Sequence, residues 1–218
     1  MTEALEKLLA SAEQARREKR LADARRDALA AVALAEQADD SAATARAITL
    51  WARSERDLGD REVALRAYKK AATIYRDRGD ALKLAHTLRH LGDIHQDSKR
   101  PTEAEPLFRE ALQIYRAHPE TPALELANAL RPLALLQHDA GNVEEADQLW
   151  EEAKNLYAQV NVLPGVVECA GRLALIARQR ENPERARQML AEASVAAQNS
   201  GDYNSQRYLN EVRTWISG

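Results

Sequence analysis

The side chains in this sequence best placed to do chemistry are His86, His90, Asp93 and Asp97, which share one face if the segment is helical. Two histidines at i and i+4 can share a metal ion, and a carboxylate one turn on can supply a third ligand. The hydrolytic form of that arrangement needs a Glu directly after the first histidine to act as general base, and Thr87 stands there instead. A metal-dependent hydrolase at His86 and His90 is kept as an alternative to the main reading, a histidine pair that contacts a bound chain. Cys169 is the single cysteine. It has no second thiol for a disulfide and no histidine near it in sequence, so it reads as a small packing residue. The sequence has no Gly-rich phosphate loop and no Ser/His/Asp signature. No enzymatic activity and no cofactor are expected.

The elements that position these residues must be helices. Of 218 residues, 42 are Ala, only 5% are aromatic, and 45% are hydrophobic. Strands need β-branched and aromatic runs that this composition lacks. The formal net charge of −3 is an ordinary balance, with no basic field for nucleic acid. The uncharged stretch from Val160 to Val167 is far short of a bilayer span. Glu3, Glu6 and Lys7 interrupt the N-terminal apolar residues, so no signal peptide is read there. With a lone cysteine, these features point to a cytoplasmic protein. No linker-like composition interrupts the chain, which reads as a single domain over residues 1–218.

One spacing recurs. Ala64, Tyr68, Ala71 and Tyr75 are matched by Ala104, Phe108, Ala111 and Tyr115, then by Ala146, Trp150, Ala153 and Tyr157. Degenerate copies run through Ala24, Ala28, Ala31 and Ala35, and through Ala186, Leu190, Ala193 and Ala197. About twenty residues before each lies a second amphipathic stretch with large apolar residues three apart and a small residue after them, such as Leu88, Leu91 and Gly92. Each period is therefore a hairpin of helices A and B whose small residues let two backbones approach.

Turn residues agree with that register. Gly59-Asp60 and Gly141-Asn142 separate A from B, with Glu145 completing a capping box on Asn142. The A helices are expected near 3–19, 41–58, 81–97, 122–140 and 164–180. The B helices are expected near 21–37, 61–77, 101–117, 143–159 and 183–199. The repeats are thus about 3–38, 41–78, 81–118, 122–160 and 164–200. A last helix over 203–216, with Tyr203, Tyr208, Leu209, Val212 and Trp215, reads as a cap. A dimer contact through Tyr208 and Trp215 is the alternative for that helix.

These residues resemble the tetratricopeptide repeat, in the longer variety found in kinesin light chain and bacterial repeat proteins. The resemblance implies an all-α, right-handed solenoid superhelix of about five hairpins and a capping helix. It also implies a concave groove, lined by the A helices, that binds a peptide or protein segment. His95 takes the place of a buried tyrosine and is expected in the core with a hydrogen-bond partner. The Lys/Asn clamp with which some members grip a carboxyl terminus is absent, because Leu9, Glu13, Thr49 and Arg53 occupy its places.

By that geometry the groove presents Arg46, Thr49, Arg53, Arg56, His86, Arg89, His90, Asp93, Asn128, Arg131, His138 and Arg178. Arg46, Arg53 and Arg56 form a cluster that only Asp57 is expected to oppose. Arginine forks match carboxylates, so an acidic or C-terminal peptide is the expected ligand. The alternative is a peptide-sensing regulator that changes curvature or dimerises when its ligand binds. Pro132 falls deep in an A helix, where it removes the bond to the Asn128 carbonyl and is expected to kink the helix.

Overall fold

A computed structural model describes residues 3–217, and eleven α-helices with no strand are found among them. In chain order these are α1 (Glu3–Arg17), α2 (Leu21–Gln37), α3 (Ser41–Leu58), α4 (Arg61–Arg78), α5 (Ala81–Asp97) and α6 (Pro101–Ala117). They continue with α7 (Ala123–Asp139), α8 (Val143–Gln159), α9 (Leu163–Gln179), α10 (Pro183–Ser200) and α11 (Tyr203–Ser217). The A helices are α1, α3, α5, α7 and α9, and the B helices are α2, α4, α6, α8 and α10. The largest departure from the expected boundaries is the end of α1, at Arg17 rather than residue 19.

The chain packs as two compact units, Met1–Ile114 and Tyr115–Gly218, divided in the last turn of α6. In the first unit, Ala28 and Ala31 of α2, Ala52 of α3, Ala64 and Ala71 of α4, and Ala104 and Ala111 of α6 have no exposed surface. In the second, Ala134, Ala146, Ala153, Ala174, Ala193 and Ala197 are equally enclosed. Small side chains let the paired backbones close up, and Tyr68, Phe108 and Trp150 fill the remaining space. Gly92 of α5 shows how close the approach is, since a Cβ there would lie 2.5 Å from Phe108 Cε1.

The corners repeat at half the hairpin period. Lys19, Asp39, Gly59, Gly79 and Lys99 in the first unit, and Gly141, Asn161, Glu181 and Gly201 in the second, all have positive φ. Within each unit these residues are twenty positions apart. In most corners the following N–H bonds back into the helix, as Asp40 N does to Ala35 O (3.1 Å) and Arg100 N to His95 O (2.9 Å). This is the Schellman closure of a helix C-terminus. Four of these nine residues are glycine, and the other five hold an L side chain left-handed at roughly 1–2 kcal/mol each.

Asp40, Asp60 and Asn182 cap the helices that follow them by accepting from Ala43, Val63 and Arg185 N. The Asn142 half of the expected capping box does not form, because its side chain makes no cap hydrogen bond to α8. The Asn142 amide instead donates to Gln137 Oε1 at 2.6 Å, a bond back to the preceding helix that no local spacing signals. Pro132 does not break α7, which runs uninterrupted with the proline ring buried. In the capping helix α11, Leu209 and Val212 are buried, whereas Tyr203 and Trp215 are 76% and 53% exposed. Half-buried Tyr208 lies against Gly171 of α9 and donates to Glu168 O at 3.3 Å, which ties α11 to α9.

Candidate binding faces of the A helices

In the first unit the expected groove residues of α3 and α5 come together, and each arginine meets an acid. Arg46 Nη1 lies 3.0 Å from Glu6 Oε1, and Arg53 Nη1 lies 3.5 Å from Glu13 Oε2. Arg56 and Arg89 converge on Asp93 Oδ2 at 3.6 and 3.2 Å. The expectation that only Asp57 opposes the α3 cluster is therefore corrected, because Asp57 pairs with Arg16 at 2.9 Å. The opposing acids come from neighbouring A helices about forty residues away, which spacing within one helix cannot reveal.

Between α1 and α3 lies a cavity of about 340 Å³, floored by Tyr75 of α4. Leu9 and Leu50 give it apolar walls, and Arg46, Arg53 and Glu13 give it charge. Thr49 donates to Ala45 O at 2.8 Å and reaches Tyr75 Oη at 3.3 Å, which fixes both hydroxyls at the floor. Arg53 Nε is buried without a hydrogen-bond partner. Burial, and then the nearby charge of Arg16, lowers the hold of this guanidinium on its proton.

His90 is enclosed by charge. Its Nδ1 lies 2.9 Å from Arg56 Nη1 and 3.1 Å from Asp93 Oδ2, and its Nε2 lies 3.1 Å from both Arg89 Nη2 and His86 Nε2. A neutral imidazole has one N–H and one lone pair. With the proton on Nδ1 the ring donates to Asp93 and accepts from Arg89 at Nε2, whereas a bare Nδ1 accepts from Arg56. Burial first, then the charges of Arg89, His86, Arg56 and Arg53, hold its protonation well below the ordinary histidine range. The Tyr68 ring stacks on it with centroids 5.6 Å apart. The Tyr68 hydroxyl has no hydrogen-bond partner, and burial pushes it up to about 12.

The metal alternative needs three convergent ligands, and no such group of His, Cys, Asp or Glu occurs among the described residues. Asp93 turns to arginines, and Asp97 is exposed. His95 is buried as expected, but its Nδ1 has no partner, so the expected hydrogen bond is absent at that nitrogen.

In the second unit the expected residues do not gather into one cluster. Asn128 Oδ1 accepts from Tyr157 Oη at 2.7 Å, and Arg131 pairs with Glu168 at 2.9 Å. His138 lies 3.7 Å from Asp139, and Arg178 is exposed. Cys169 is fully enclosed and its thiol is pushed up by burial, consistent with packing.

Residues 47–117 match the family model described as Tetratricopeptide repeat. Over that stretch the chain carries the tetratricopeptide repeat. No curated protein sequence matches it. Among solved structures, BtubC (BKLC) from P. vanneervenii is similar at 17% identity and TM-score 0.79, over 91% of this chain and 81% of that one. A Signal Transduction ATPase with Numerous Domains protein with a tetratricopeptide repeat sensor, from Pyrococcus horikoshii, aligns at 19% identity and TM-score 0.82. That alignment covers 97% of this chain but only 33% of the larger protein. The nearly identical TPR-like repeats of a kinesin light chain described from Podosopora anserina align at 15% identity and TM-score 0.70, over 92% of this chain and 99% of that one. These likenesses establish the fold as a tetratricopeptide-repeat solenoid.

Proposed function

We propose that this protein is a non-catalytic interaction module that holds an acidic or C-terminal peptide segment against its A-helix faces. The observation that carries this reading is the row of Arg46, Arg53, Arg56 and Arg89, of which Arg46 and Arg53 line the cavity floored by Tyr75. The resident ion pairs there are exchangeable. Arg46 and Glu6 are 49% and 43% exposed, and pairs of that kind contribute only about 0–1 kcal/mol. A ligand carboxylate that displaces Glu6 or Glu13 therefore gives up little. Arg53, half-buried with an unmet Nε, gains most from a two-point partner. Cys169, the single thiol, is enclosed within the fold, and we place the module in the reducing cytoplasm.

The test is fluorescence anisotropy with a labelled peptide rich in glutamate and bearing a free carboxyl terminus. Arg53→Glu and Arg89→Glu should each weaken binding by about tenfold or more, since a charged hydrogen bond contributes roughly 1.5–3 kcal/mol. Wild-type affinity should fall as salt rises. Equal affinity in both variants, with folded circular dichroism spectra, overturns the reading.

A further inference from the structure

Arginine in this protein is nearly always paired or fully in water. Among the described residues the arginines with neither an ion pair nor a hydrogen bond are Arg25, Arg61, Arg66, Arg172 and Arg178. All are exposed except Arg172, which is half-buried and whose Nε is shielded from solvent without a partner. Withdrawing a guanidinium from water without a counter-charge is unfavourable. The surrounding acids are committed elsewhere. Glu168, one turn earlier on α9, pairs with Arg131 at 2.9 Å. Asp202 caps α11, accepting from Ser205 N at 2.8 Å and Ser205 Oγ at 2.7 Å. Glu211 pairs with Arg207 at 3.0 Å.

Arg172 lines a cavity of about 320 Å³ between α9 and the start of α11. Pro164 and Val167 form its apolar wall, and Tyr208 closes one side. Gly171 sets that side, because a Cβ there would lie 2.7 Å from Tyr208 Cε1. Asn204 adds an exposed amide with no side-chain hydrogen bond.

We propose that this cavity is a carboxylate-binding site in which Arg172 supplies the counter-charge and Asn204 a second donor. The site takes a singly charged group. Glu168 and Asp202 also line the cavity, and although both are engaged, their charge opposes a dianion such as phosphate. The apolar wall suits a carboxylate carried on a hydrocarbon side chain or terminus. The site lies in the second unit and does not depend on the arginine row of the first.

The experiment is ¹⁵N NMR of arginine Nε–Hε groups on the full chain, with the Arg172 signal identified by its loss in Arg172→Lys. Four probes are titrated at constant ionic strength: acetyl-Val-Val with a free carboxylate, the same dipeptide amidated, amidated acetyl-Val-Asp-Val, and inorganic phosphate. The Arg172 signal should shift saturably with the carboxylate-bearing probes and not with the amidated dipeptide. The arm that binds more tightly identifies a terminal or a side-chain carboxylate as the source. Arg172→Gln, folded by its amide spectrum, should weaken the response of Asn204 at least about tenfold. Arg53→Glu should leave the titration unchanged, so failure here is separable from failure of the peptide-binding reading. No carboxylate-dependent shift, an equal shift with the neutral probe, tighter binding of inorganic phosphate, or unchanged binding in Arg172→Gln overturns the proposal.

Discussion

Gly92→Ala tests whether the small residues of the A helices are true spacing devices. The added Cβ would meet Phe108 Cε1, Cδ1 and Cζ at 2.5, 2.7 and 2.8 Å. Carbon atoms prefer separations of about 3.5–4.0 Å, so three ring atoms are overlapped by about an ångström. Phe108 has no exposed surface, and its ring cannot swing aside into solvent. Overpacking of this kind costs about 1–3 kcal/mol, and overlap on three rigid atoms belongs at the upper end. Alanine returns about 1 kcal/mol through its better helix propensity. The net expected loss is about 2 kcal/mol, or a fall of about 4–8 °C in melting temperature for a chain of this size. The assay is urea unfolding followed by far-ultraviolet circular dichroism, where the midpoint should fall with the slope unchanged. Adding Phe108→Leu should recover at least about 1 kcal/mol relative to additivity, because it removes the ring that clashes. A midpoint for Gly92→Ala equal to or above wild type would refute the reasoning, because it would mean that the two helices separate freely.

Two further perturbations follow from the same packing. The buried His90, faced by Arg56 from α3, Tyr68 from α4, and His86, Arg89 and Asp93 from its own helix, has its folded protonation held below the unfolded value of about 6.5. Between those two values the unfolded chain binds more protons, so stability is complete above about pH 6.5 and declines as the pH falls below it. Urea midpoints at about pH 7.5 and 5.5 should show the decline, and His90→Gln should reduce it; an unchanged slope counts against a neutral buried imidazole. Glu181, left-handed at φ 55°, should accept glycine with a stability gain of about 0.5–1 kcal/mol, and a loss on thermal unfolding would show that its side chain matters more than its backbone.

Much of the fold was legible because it repeats. The alanines at fixed intervals, the aromatics at Tyr68, Phe108 and Trp150, and the glycines at Gly59 and Gly141 are local signals read once per hairpin. The twenty-residue spacing of corners was only half legible, because Lys19, Asp39, Lys99, Asn161 and Glu181 take a glycine conformation without being glycine. Their strain is offset by closures such as that from Arg100 N to His95 O, which no side chain announces.

The candidate sites divide along the same line. The sequence by itself determined which residues belong to the A-helix faces, since a helix imposes its 3.6-residue period on any pattern. It also determined that Cys169 has no second thiol to pair with in this sequence. Only the tertiary structure decided how the charges are distributed. Glu6 meets Arg46 and Asp93 meets Arg56 across helices about forty residues apart, while Asp57, adjacent to Arg56, turns to Arg16 instead. Arg172 has an acid one turn away in Glu168 and is still left unpaired, because Arg131 of α7 takes that carboxylate. Pairing depends on distances in space that chain spacing does not encode, and which charges are left without a counter-ion follows from those distances alone.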